Sequence, residues 1–231
     1  MTLLSLSGNL LATELIRHTG AVNFEGFPVA ALDFYDDLEM DNTRSFWESH
    51  KETYANAVQA PMRALIEALA DEFGAAKIFR PYRDVRFSKD KVPYKTHQGA
   101  FVAVAPETGY YVEISARGVR TGGGCYWFSP DRLAAFRAAI DHDRLGPELE
   151  KLLKKVTRQG YELGGDKLKT KPRGFEADHP RIDLLRHKSL TLGRSLGFEP
   201  IIHGPELVEQ VRADWQAISP VTKWIAKNAQ A

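Results

Sequence analysis

The chain has 231 residues, 31 of them basic and 30 acidic, for a net charge of +1. That length buries a full core as one domain, and a balance so close to neutrality argues against a dedicated duplex-binding surface. A single cysteine, Cys125, excludes an internal disulfide, and no apolar run reaches the roughly 20 residues that span a bilayer.

Residues 1–22 read as an extension ahead of a domain covering 23–228. The extension is mildly apolar, lacks a basic start and runs into Glu14 and Arg17, a poor secretory signal. A soluble cytoplasmic protein is the expectation. Pro28 suits the first position of a helix to about residue 40, with Leu32, Tyr35 and Leu38 on one stripe. Asn42 is placed to cap a second helix through Phe46, Trp47, Tyr54 and Val58. After Pro61 the spacing of Met62, Leu65, Ile66, Leu69 and Phe73 restarts the helical period, as a second helix or beyond a kink, until Gly74.

From Lys77 the period becomes that of strands. Ile78-Phe79-Arg80 and Val85-Arg86-Phe87 are short β-like pieces. Gly99–Ala105 and Gly109–Ala116 form a hairpin about Pro106-Glu107-Thr108-Gly109, and Val119–Phe128 adds a strand broken by Gly122-Gly123-Gly124. Ser129-Pro130-Asp131 starts a helix carrying Leu133, Phe136 and Ile140. Further helices are expected near 146–158, 180–187 and 204–218, with a last one from Pro220. The fold class is therefore α+β: a mainly antiparallel central sheet flanked by N- and C-terminal helices in one domain.

Charge is uneven along the chain. Residues 1–79 carry a net −7, whereas the 18 residues from Arg80 to His97 hold six cations against two carboxylates. The run Arg83-Asp84-Val85-Arg86-Phe87-Ser88-Lys89-Asp90-Lys91-Val92-Pro93-Tyr94-Lys95-Thr96-His97, followed by Gly109-Tyr110-Tyr111 and Gly122-Gly123-Gly124, resembles the signature of the family called domain of unknown function 2461. Phe24-Glu25-Gly26-Phe27-Pro28, Asn42 to Trp47, Lys169 to Phe175 with His179-Pro180, and Leu184 to Leu190 extend the likeness across residues 23–228. The chain departs from the pattern at Phe46-Trp47, where the family more often has Trp-Phe. The resemblance implies membership, and no reaction, cofactor or catalytic residue.

Function must then be read from the residues. Dense forked and rotatable N–H donors suit an oxyanion. In an extended segment Asp84, Arg86 and Ser88 share a side, so Asp84 could orient the Arg86 guanidinium. Arg83, Ser88, Lys91, Tyr94 and Lys95 would complete the ligand site, and His97 is a weak candidate for a general acid or base. The opposing reading is a structural ion-pair network. A second basic stretch, residues 167–194, carries eight cations and three carboxylates. If it packs beside the first, Tyr94, Tyr110, Tyr111 and Phe175 could line one deep pocket and stack on a base or another ring; otherwise it is a solvated loop.

The glycine triplet matches neither a phosphate-binding loop nor a dinucleotide fingerprint, and a bulge or crowded strand end explains it better. Cys125 reads as a small buried apolar residue, and the scattered histidines give no metal spacing. The expectation is a protein that binds a small phosphate- or carboxylate-bearing ligand, with or without a reaction. The alternatives are a nucleic-acid-binding module and a protein-interaction domain whose basic strip is structural. No membrane partner is expected. The sequence leaves the cofactor and the oligomeric state open.

Overall fold

A computed structural model describes residues 23–86, 89 and 91–230. The expected extension, residues 1–22, and the site candidate Ser88 lie outside the described residues, as do Phe87 and Asp90.

Helix α1, Val29–Met40, buries Ala31, Phe34, Tyr35 and Leu38, and Pro28 precedes it as the cap residue rather than occupying the first turn. Helix α2, Arg44–Thr53, is capped by Thr43, whose hydroxyl accepts the Phe46 N–H at 3.2 Å. Asn42, expected in that role, clamps Tyr94 instead: its amide donates to Tyr94 O and its oxygen accepts the Tyr94 N–H, both at 3.1 Å. From α2 the chain continues without a break through a π-helical stretch, Tyr54–Gln59, into α3, Ala60–Glu67. The wider i→i+5 bonding, as in Ala60 N–H to Ala55 O, carries the chain into Pro61, which has no N–H to give. A short α4, Ala70–Phe73, ends at Gly74, whose φ of 92° only glycine adopts freely.

The sheet has six strands: β1 (Ala76–Ile78), β2 (His97–Ala105), β3 (Thr108–Ser115), β4 (Gly118–Cys125), β5 (Glu162–Gly164) and β6 (Leu190–Gly197). They lie in the order β1-β2-β3-β4-β6-β5, and every pairing is antiparallel. Strand β4 runs unbroken through the glycine triplet, and its register shift falls at Val119/Arg120 instead. Val85 and Arg86 lie in a loop rather than a strand. That loop is closed by a Tyr82–Tyr94 bridge with Arg83 N–H to Pro93 O and Lys95 N–H to Pro81 O, both 2.8 Å.

Between β4 and β6 stand α5 (Pro130–Asp141, capped by Ser129), α6 (Leu145–Arg158) and α7 (Ile182–Leu185), the last far shorter than the expected 180–187. Helix α8, Leu207–Asn228, passes through Pro220 as one element, where two helices were expected. Its buried face, from Leu207 through Val211, Trp215, Ile218 and Val221 to Ile225, holds it against the sheet on both sides of the proline.

Alternation along the strands separates two faces. Gln98, Ala100 and Val102, Tyr110, Val112 and Ile114, Val119, Thr121 and Cys125, and Leu190 and Leu192 are buried, and α1 and α8 pack against these strands. The residues between them, among them Phe101, Tyr111, Glu113, Arg120 and Thr191, remain half-buried or exposed.

Candidate ligand site on the open sheet face

The opposite face of the sheet is built by register. Gly109 faces Gly124, Tyr111 faces Gly122 and Glu113 faces Arg120 across β3 and β4, while Gly122 faces Gly193 on β6. Four glycines therefore adjoin on one face. A side-chain carbon at 122 would sit 2.5 Å from Leu192 O, and one at 193 would sit 2.7 Å from Thr121 O, so the close approach of β4 and β6 requires them. The crowded-strand explanation of the triplet thus accounts for Gly122. Its consequence is that Gly122 and Gly124 leave the backbone of β4 bare between the Phe101 ring, which lies over Gly109, and the Arg120 guanidinium, which lies over Gly193.

Around this bare floor stands a cleft of about 340 Å³ whose walls include Phe79, Phe101, Tyr111, Glu113, Arg120, Tyr126 and Thr191. The Tyr111 hydroxyl donates to Glu113 Oε2 at 2.6 Å. Burial and the adjacent Glu113 carboxylate push the Tyr111 phenol far above its ordinary range, so it stays a donor. The Arg120 side chain is exposed and lies over Gly193, and its guanidinium makes no hydrogen bond or ion pair with any described residue. Phe101 and Tyr126 meet edge to face at 5.6 Å, and Tyr126 is 58% exposed.

Just outside the cleft, at Phe79, lies a cationic rim whose lysines do not themselves line it. The ammonium groups of Lys95 and Lys77 lie 5.2 Å and 5.8 Å from the centre of the Phe79 ring. Partial burial, then the like charges of Arg80 and Lys77, hold the Lys95 ammonium below its usual range. An anion at this rim would relieve that repulsion.

The other expected site residues separate from the cleft. Asp84 grips Arg86 with a two-point fork, Oδ1 to Nε at 2.9 Å and Oδ2 to Nη2 at 2.6 Å, as the alternation suggested, but in an exposed loop. Lys91 donates to Val85 O at 2.9 Å. Arg83 is half-buried in the same loop. Tyr94 stacks on Trp47 at 4.4 Å and is buried, so its ring buttresses the segment. His97 stands on the cleft side of β2, opposite Ser115, and does not line the cleft. Lys95 lies over the Phe79 ring, which lines the cleft.

The basic stretch 167–194 runs into β6, with β3 and β4 between that strand and the β2 end of the 80–97 segment. Three of its cations staple the fold. Arg181 donates to Ile140 O and Asp141 O, Arg186 to Leu168 O and Lys169 O, and Arg194 pairs with Asp214. Tyr110 lies on the packed face, stacked on Trp215. Sequence reasoning missed Arg120, Glu113, Phe101 and Tyr126. The signal was the two-residue period that puts Tyr111 and Glu113 on one side of β3 and Arg120, Gly122 and Gly124 on one side of β4.

Residues 30–224 match the family model described as a conserved hypothetical protein, DUF2461. The chain belongs to the DUF2461 family. The matched span lies within the 23–228 that the motifs suggested and includes every residue lining the cleft. No curated protein matches this DUF2461 chain. Among its described residues no helix is long and apolar enough to cross a membrane, and no cluster of His, Cys, Asp and Glu is arranged to hold a metal.

Proposed function

We propose that this DUF2461 protein binds a small phosphate- or carboxylate-bearing ligand on the open face of its sheet. The observation that carries the reading is a cleft that combines the open β4 backbone at Gly122 and Gly124 with the Arg120 guanidinium, beside the crowded Lys77, Arg80 and Lys95 charges next to Phe79. Arg120 offers a planar fork for an oxyanion. Lys77 and Lys95 offer rotatable charges, with Arg80 strengthening the local field. Arg83, Arg86 and Lys91 extend the positive potential along the adjoining loop, with Asp84 orienting Arg86 and Tyr94 holding the loop to α2. Ser88 stands between Arg86 and Lys91 in the sequence. His97 is the imidazole nearest to an acid–base role.

Aromatic walls with a few convergent polar groups are the usual make-up of a small-molecule site. Use of Arg181, Arg186 and Arg194 inside the fold disfavours a wide nucleic-acid groove, and a nucleic acid would in any case bind with a steep salt dependence. The test is a thermal-shift screen against phosphates, sugar phosphates, nucleotides and carboxylates, with Arg120→Ala and Lys95→Ala as controls. Stabilisation by one anion class, lost in both variants, is expected. No stabilisation beyond bulk salt effects would sink the reading.

A further inference from the structure

Within the cleft the chemistry is divided between two ends, and we infer that the ligand is a nucleoside monophosphate, its base over the glycine floor and its phosphate at the lysine rim. The inference rests on the anion-site reading above, gives the anion to the lysine rim, and places Arg120, three strands away on β4, beside the base.

The floor comes first. Gly122 and Gly124 line the cleft with the β4 backbone, flanked by the Phe101 ring over Gly109 on β3 and by the Arg120 guanidinium over Gly193 on β6, which leaves a narrow slot between an aromatic ring and a planar cation. Side chains on either side would stand above this level. A flat heterocycle fits such a depression, whereas a puckered or branched body would leave it underfilled. Tyr126 follows β4 directly, lines the cleft, and is braced edge to face by Phe101. It supplies a ring on which a base stacks without regard to sequence.

The edge of the floor is polar. Glu113 and Arg120 sit opposite each other in the row beside Tyr111 and Gly122. Tyr111 occupies Glu113 Oε2, leaving Oε1 to accept from a ring N–H or an exocyclic amine. An inorganic anion or a simple sugar phosphate would leave that carboxylate unmatched. Glu113 is the one carboxylate lining the cleft among the described residues, and Arg120 the one cation, so the base edge is offered an acceptor and a donor side by side.

The phosphate end is set by distance. Lys77 pairs with Phe101 on β2, Phe101 with Tyr111 on β3, and Tyr111 with Gly122 on β4. Three strand spacings separate Lys77 from the floor, on the order of 14 Å. A base, sugar and phosphate in line bridge that span, with the sugar over Phe101 and Tyr111; a free phosphate does not. Lys77 and Lys95 over Phe79 then meet the phosphate.

The experiment is calorimetric titration of the full-length protein with the four ribonucleoside 5′-monophosphates, ribose 5-phosphate, inorganic phosphate and the unphosphorylated nucleosides. Tyr126→Ala and Glu113→Gln are run beside the wild-type chain, both at positions outside the packed core. At least one monophosphate is expected to bind about tenfold more tightly than ribose 5-phosphate, and each variant to remove most of that margin. If ribose 5-phosphate and inorganic phosphate bind as well as every nucleotide, the base assignment is overturned while the anion site stands. If no phosphate compound binds, both readings fall. If nucleosides bind as well as their monophosphates, or if the nucleotide margin survives both variants, the assignment of base and phosphate to these two ends is wrong.

Discussion

Arg194 forks onto Asp214, Nη2 to Oδ1 at 2.5 Å and Nε to Oδ2 at 3.1 Å, joining β6 to the middle of α8. Asp214 is fully buried, and its remaining capacity is filled by the hydroxyls of Thr121 and Tyr161 and the amide of Gln210. A buried carboxylate is tolerated when its oxygens are satisfied in this way. Beside it, burial and the Asp214 charge push the Tyr161 phenol up to about 12. Asp214→Ala leaves the cationic head of Arg194 and two hydroxyls without their acceptor, and is expected to cost about 3–5 kcal/mol. Urea unfolding measures it; a loss below about 1 kcal/mol would contradict the assignment of this network as the link between helix and sheet.

The Asp84–Arg86 pair lies at the solvent-exposed end of the scale. Exposed ion pairs contribute little because water screens them and two long side chains must be ordered. Arg86→Ala is expected to melt with the wild-type chain in differential scanning calorimetry. A clear drop in melting temperature would restore the structural-network reading of the 80–97 segment.

Asn42→Ala tests how that segment is held. The variant removes both bonds to the Tyr94 backbone and is expected to cost about 1–2 kcal/mol. Hydrogen exchange at the Tyr94 amide should accelerate more than exchange in β3. Equal acceleration throughout would point to a global effect rather than a local clamp.

His187 supplies a pH dependence. Its Nδ1–H donates to Ser189 O at 2.8 Å, while Nε2 is buried without a hydrogen-bond partner. Burial lowers its pKa from 6.5 to about 4. Between those values the unfolded chain binds more protons than the folded one, so this contribution is complete above about pH 6.5 and lost as pH falls towards 4. The loss is on the order of 3 kcal/mol. His187→Asn, whose amide keeps the donor near Nδ1 without titrating, should flatten stability between pH 6.5 and 4. An unchanged slope would assign the acid sensitivity elsewhere.

Cys125 is buried, donates to Trp127 O at 3.0 Å, and has its thiol pKa raised by burial. Thiol reagents require the thiolate. Labelling of the native protein is expected to be much slower than labelling of the urea-unfolded chain at the same reagent concentration, and equally fast labelling of both would contradict this placement.

Much of the architecture was legible because local patterns are strong where one face of an element is buried. The helical stripe of α1, the Ser129-Pro130 start of α5 and the β2–β3 hairpin all follow from spacing and turn chemistry alone. Strands β5 and β6 were not legible although Leu190, Leu192 and Leu196 alternate, because Gly193 and Arg194 interrupt the apolar period of β6 and β5 is only three residues long. Pro220 was read as a helix start because proline removes an N–H. In the fold, apolar contacts on both sides of it outweigh that single lost bond.

The candidate site divides in the same way. The sequence by itself determined family membership, the α+β class and the concentration of cations between residues 80 and 97, since these depend on residue identity and near-neighbour spacing. Only the tertiary structure decided that Tyr94 is a packing residue, that the second basic stretch lies beyond β3 and β4, and that Glu113, Arg120, Tyr126 and four glycines share one open face. Those relationships depend on strand register and on which face the helices cover, and both are set by long-range packing.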